Sequence, residues 1–114
     1  VQRHLRLRGR TAFQRLRTDG QVKKNRDLMV SYVPNTLPHN RYGIIVVKHI
    51  GKAVTRNRLR RRLRGCLQNV DAALLGGYDI VIITRGKSAD LKQVELCAAL
   101  TDVLQRAKLL PETL

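Results

Sequence analysis

From Arg56 to Arg64 the chain reads R-N-R-L-R-R-R-L-R, six arginines in nine residues with leucines at 59 and 63. No Asp or Glu occurs anywhere between Leu28 and Val70, so nothing local neutralises the run. Guanidinium groups are planar forks that grip phosphate oxygens two at a time, which a lysine ammonium cannot do. The chemistry these residues offer is therefore recognition of a polyanion, and nucleic acid is the obvious one. Solvated charged faces normally mix both signs, and this one does not.

Protein-based cleavage chemistry is harder to find. It needs a general acid/base pair or a carboxylate-held metal. His4, His39 and His49 fall on an N-terminal segment, a turn and a loop, and none has an evident catalytic partner. His49, in a basic loop, reads as a phosphate contact or a solvated residue, ahead of a catalytic role. The acids are scattered without a D-x-D or D-x-E pair. Gly76-Gly77 lacks the length and lysine of a phosphate-binding P-loop, and no Cys/His spacing suggests zinc. No residue is assigned a catalytic role, and no metal site is expected from the protein alone.

The arginines need a helix to present them. On one, Leu59, Leu63, Cys66, Leu67 and Val70 share a face, the stripe of a helix packed on a core. Asn57, Arg58, Arg60, Arg61 and Arg64 spread over the other side. A helix over about 55–70 is expected, entered through Lys48 to Val54 (K-H-I-G-K-A-V). Before it stand a short helix over 11–18, with Thr11 as possible N-cap and Gly20 as terminator, and strands over 28–33 and 42–47. After it come a strand over 78–84 and a helix from Asp90, capped with Gln93, to about Lys108. Residues 1–10 read as a basic extended segment. The order is α-β-β-α-β-α, an α+β sandwich of one small sheet with helices packed on it, and a single domain over 1–114.

The net charge of +15 is unevenly placed. Residues 1–70 hold 18 Lys/Arg against two acids, Asp19 and Asp27, whereas residues 71–114 are nearly neutral. Anion binding belongs to the first part and scaffolding to the second. Cys66 and Cys97, each among apolar neighbours on an expected helix, read first as buried free thiols, which fits a reducing cytoplasm, with a disulfide between them as the alternative. No apolar stretch approaches the roughly 20 residues that span a membrane, and no signal-peptide core is present.

The string G-I-I-V-V-K-H-I-G-K-A-V-T-R-N-R-L-R-R-R-L-R resembles the signature of the bacterial ribonuclease P protein subunit, flanked by R-L-R-G-R-T-A-F-Q-R-L and G-G-Y-D-I-V-I-I-T-R at the family's spacings. The resemblance implies a small mixed sheet with a left-handed βαβ crossover, akin to sandwiches found among ribosomal proteins, with the arginine helix as crossover. It implies a protein cofactor of a catalytic RNA that removes the 5′ leader of precursor tRNA, with magnesium bound mainly by the RNA. Partners would be that RNA and precursor tRNA, with no membrane and no obligatory protein partner, in the cytoplasm. Arg56, Asn57 and Arg58 match the family's Arg-Asn-Arg triplet, followed by Arg60, Arg61 and Arg64. Lys48, His49 and Lys52 fall in the loop before it, where Gly51 permits a tight turn. The implied leader cleft, between the first helix and an open sheet face, comprises Phe13, Arg17, Met29 and Ser31. Arg17 stands where the family commonly has a second aromatic, Ser31 can occupy a tyrosine position, Val47 replaces a common serine and His49 a lysine. Charge is expected to replace part of the base stacking that single-strand binding normally uses.

Overall fold

The structure is a computed structural model that describes residues 10–111, with side chains from Gln14 onward. The basic segment 1–9, with His4, lies outside the described residues, as does the side chain of Phe13. Helix α1 (Arg10–Asp19) leads into strands β1 (Gln21–Lys24), β2 (Leu28–Pro34) and β3 (Arg41–Ile45). Helix α2 (Ala53–Val70), strand β4 (Tyr78–Thr84) and helix α3 (Gln93–Arg106) follow. The four strands lie in the order β1-β2-β4-β3, all antiparallel except the β3/β4 pair, which is parallel. Parallel neighbours require a crossover, and α2 is that crossover.

Strand alternation gives the sheet two different faces. Leu28, Val30, Tyr32, Tyr42, Ile80 and Ile82 point one way, into a core closed by Leu59, Leu63 and Leu67 of α2 and by Leu96, Leu100, Val103 and Leu104 of α3. On the other face Leu16 of α1 packs on Val33 and Val81, with Ile83 beside them. The leucine stripe of α2 thus faces the core as its spacing requires, with Cys66 buried in line with it.

The α+β class, the mixed sheet and the three helices agree with expectation, and five local features differ. Strand β1 has no place in the expected order: Q-V-K-K shows no apolar alternation and is exposed throughout. It forms because Asn25 makes a tight return, its Oδ1 accepting from the backbone N–H groups of Asp27 (3.1 Å) and Leu28 (2.9 Å). Helix α1 starts at Arg10, so Thr11 lies inside the helix instead of capping it. Strand β3 ends at Ile45, not at Val47, because the chain turns into a short 3₁₀ segment, Lys48–Ile50.

Asp90 does not cap α3. It closes a 3₁₀ turn, Ser88–Asp90, and the Lys92 N–H at the helix start donates to Glu95 at 2.8 Å. Finally, Cys66 and Cys97 are not free thiols: they form a disulfide between α2 and α3. Each cysteine faces the other helix, and helix packing alone brought them together.

Two glycines are required by geometry. A Cβ at Gly20 would stand 2.3 Å from the Leu16 carbonyl oxygen, which the Gly20 N–H caps at 3.0 Å. Gly51 has φ 155°, a backbone region open essentially to glycine, immediately before α2 begins.

Candidate nucleic-acid interface

The arginine face is built by the crossover. Strand β3 delivers the chain to the 3₁₀ turn, Gly51 redirects it, and Lys52 occupies the N-cap without a side-chain cap. No acid lies in the first turn of α2, so its open N–H groups and positive dipole end add to the side-chain charge. Lys48, His49 and Lys52 are exposed at this end, with Arg56 half-buried one turn on. The Arg56 Nε is a buried donor with no partner among the described residues. Along the helix Asn57, Arg58 and Arg61 are exposed, and Arg60 and Arg64 are half-buried. Arg60 Nη1 donates to Asn57 Oδ1 at 2.7 Å, joining two members of the triplet region. Val54, 80% exposed, is an apolar spot among these cations. The nine residues expected to bind RNA thus all lie on α2 or on the turn that leads into it, each exposed or half-buried.

Arg62 belongs to the same run but not to this surface. Its guanidinium reaches across to α3, donating to Gln93 Oε1 (3.0 Å) and to the carbonyls of Ala89 (3.4 Å) and Leu91. Gln93 Nε2 returns a bond to the Arg62 carbonyl at 3.1 Å. This arginine holds the helix in place while its neighbours face outward. Composition gave no hint of the difference; angular position on the helix, on the side away from Asn57 and Arg64, was the available signal.

A second surface is the part of the sheet that α1 leaves uncovered. Register places Val22 opposite Ser31, and Met29 opposite Ile83, which itself lies opposite Ile45. Val22 is 52% and Ile45 41% exposed, while Met29, Ser31 and Ile83 are half-buried. Arg17 is exposed on α1. Met29 and Ser31 thus share an open, mostly apolar face, and Tyr32 points the opposite way into the core. Val22, Ile45 and Ile83 join this face unforeseen, because only strand pairing aligns them.

At the closed end of the same face sits an ion pair. Asp79 is wholly buried and accepts from Arg41 Nε (2.8 Å), Arg41 Nη2 (2.7 Å) and Asn35 Nδ2 (2.9 Å). Burial pushes its pKa up, but the bonds from Arg41 and Asn35 and the charges of Arg41 and Arg15 outweigh it, leaving it below the ordinary value. Arg15 also donates to the Pro34 carbonyl, tying α1 to the end of β2. Other acids are engaged too: Asp71 accepts from the Tyr42 phenol, whose pKa burial and that bond raise. Asp102 accepts from Asn25 and Arg106, both at 2.9 Å. Among the described residues no three His, Cys, Asp or Glu side chains gather as metal ligands. The arrangement presents unneutralised guanidinium groups on one side of α2, chemistry suited to anions.

The family model described as Ribonuclease P matches residues 1–108. The chain is similar to the ribonuclease P protein component of Roseiflexus sp., 37% identical over 111 residues, covering 96% of this chain and 91% of that protein. It is 36% identical over 100 residues to the component from Caldanaerobacter subterraneus, covering 88% and 86%. Among solved structures it is similar to the Staphylococcus aureus RNase P protein, with TM-score 0.86 and 31% identity over 93% of this chain and 97% of that one. The Thermotoga maritima RNase P protein gives TM-score 0.82 and 30% identity, over 89% and 96%.

Proposed function

This chain belongs to the ribonuclease P protein family, and from that premise we propose that it is the protein cofactor of a catalytic RNA that removes the 5′ leader of precursor tRNA. The observation that carries the reading is the unneutralised arginine face of α2, with the open, mostly apolar sheet face as a second surface. The two surfaces divide the work. Asn57, Arg58, Arg60, Arg61 and Arg64, with Lys48, His49, Lys52 and Arg56 at the helix start, hold RNA phosphates and keep the catalytic RNA and its substrate in register. Phe13, Arg17, Met29 and Ser31, joined by Val22 and Ile45, receive the unpaired leader, whose bases lie on apolar side chains while Arg17 meets its backbone.

Hydrolysis is assigned to the RNA, with magnesium. The described residues offer no carboxylate set to hold that ion: Asp79, Asp71 and Asp102 are taken up by protein partners. The protein's contribution is binding energy, positioning and neutralisation of phosphate charge, which lets the RNA fold at lower magnesium. No helix among the described residues is long and apolar enough to cross a membrane. A cytoplasmic location follows from the substrate class.

The test is leader cleavage of precursor tRNA at low magnesium by a bacterial catalytic RNA, with and without the protein. Strong stimulation, lost in the folded double variant Arg58→Ala/Arg61→Ala and absent for the protein alone, is the expected result. Tight RNA binding without stimulation would sink the cofactor reading in favour of a structural RNA binder. Cleavage by the protein alone would overturn the assignment of chemistry to the RNA.

A further inference from the structure

The Cys66–Cys97 disulfide joins the arginine helix to α3, and its two ends are not equivalent. Cys66 is 1% exposed in the core, whereas Cys97 is half-buried, so an external thiol reaches the bond from the α3 side. Gln93, one turn before Cys97, places Nε2 3.4 Å from Cys66 Sγ and 3.7 Å from Cys97 Sγ. The same carboxamide exchanges hydrogen bonds with Arg62, the guanidinium that fastens α2 to α3. One side chain thus touches both the sulfur pair and the fastening of the arginine helix.

We propose that Cys66 and Cys97 are a reversible dithiol–disulfide pair whose state sets how firmly α2 presents its arginine face to RNA. Reduction is thiol–disulfide exchange. Two external thiols supply two electrons and two protons and leave as one external disulfide, while each cysteine sulfur gains a hydrogen. The reverse reaction uses a low-molecular-weight disulfide as oxidant. Two thiols at van der Waals distance need more room than one S–S bond, and Cys66 shares its close-packed core with the buried Leu63, Leu67 and Leu100. The side that can yield is the one facing Gln93, which lies at the exposed start of α3. Displacing Gln93 loosens Arg62. An α2 less firmly held must then be ordered by RNA itself, and affinity falls. In a reducing compartment a disulfide of this kind is transient and redox-sensing, which reconciles the bond with a cytoplasmic protein.

The proposal rests on reading the outer face of α2 as the RNA surface, so its test carries two readouts independent of RNA. The full chain is equilibrated in glutathione buffers of opposite redox poise. Free thiols are counted, hydrogen exchange is followed over α2 and residues 88–93, and precursor tRNA binding is measured by anisotropy. Expected are no thiols and slow exchange when oxidised, and two thiols with faster exchange when reduced. The dissociation constant should rise on reduction by about threefold, the size of the effect that a fourfold rise in salt has on one phosphate contact. All changes reverse on reoxidation, and Cys97→Ser, with its single thiol, keeps the reduced-state exchange and affinity at either poise. Two thiols in the oxidising buffer, or equal exchange and affinity at both poises, overturns the proposal. Redox-dependent exchange with no RNA binding at either poise would instead overturn the functional reading of the arginine face, and the RNA part of this proposal with it.

Discussion

Arg61 and Arg62 are adjacent in sequence and identical in type, yet the structure gives them opposite surroundings, and a single titration should separate the two. Arg61 is exposed on the outer face; Arg62 is spent on Gln93 and two backbone carbonyls. If Arg61 meets a phosphate, Arg61→Ala removes one counterion-releasing contact. The slope of log affinity against log salt should then become shallower by about 0.7 to 0.9. Over a fourfold rise in salt that contact corresponds to a factor of about three in affinity, and stability should stay within about 0.5 kcal/mol of the parent. Arg62→Ala should behave inversely. Bonds from a charged donor contribute about 1.5–3 kcal/mol net of their exchange with water, so a loss of about 2–3 kcal/mol is expected, with the salt slope unchanged. Anisotropy titrations from 50 to 200 mM salt, paired with urea unfolding, measure both quantities. A shallower slope for Arg62→Ala with unaltered stability would refute the division of labour on α2.

Three further outcomes follow from named contacts. Asp79→Asn breaks a buried ion pair, and because Arg41 retains some solvent contact the cost should sit near the low end of the usual range, about 3 kcal/mol in denaturant unfolding. The Asp79 pKa is lower folded than unfolded, so the wild type holds this stabilisation above about pH 4 and loses it as pH falls through the folded value. Asp79→Asn should lack that acid-dependent component, and an identical pH profile in both would count against the pair. Gly20→Ala puts a methyl against the Leu16 carbonyl and should cost about 1–3 kcal/mol, read as a fall in Tm; an unchanged Tm would show that α1 does not end as described. Phe13→Ala should weaken discrimination of precursor from mature tRNA in competition binding. Equal loss for both RNAs would remove Phe13 from the leader cleft.

Much of the candidate site was legible before any fold existed. Helical geometry separates Leu59, Leu63, Cys66 and Leu67 from Asn57, Arg58, Arg61 and Arg64 by angle alone, and an acid-free run from Leu28 to Val70 points that second face at a polyanion. The apolar strings in β2, β3 and β4 announced strands, and Gly20 and Gly51 marked turns, because backbone sterics act locally. The cleft was legible only in part: Met29 and Ser31 alternate with buried neighbours, but Val22 and Ile45 enter the same face only through pairing.

What the chain determined by itself was everything that depends on neighbours within about one turn or one strand: which faces are apolar, where charge gathers, where the backbone bends. Tertiary structure decided the rest. Strand β1 exists because a return at Asn25 lays Q-V-K-K along an open ladder. Cys66 and Cys97 meet because α2 and α3 pack side by side. Arg62 becomes a fastener because α3 offers it acceptors. Contacts between residues tens of positions apart are set by the closing of one shared core, which no local pattern encodes.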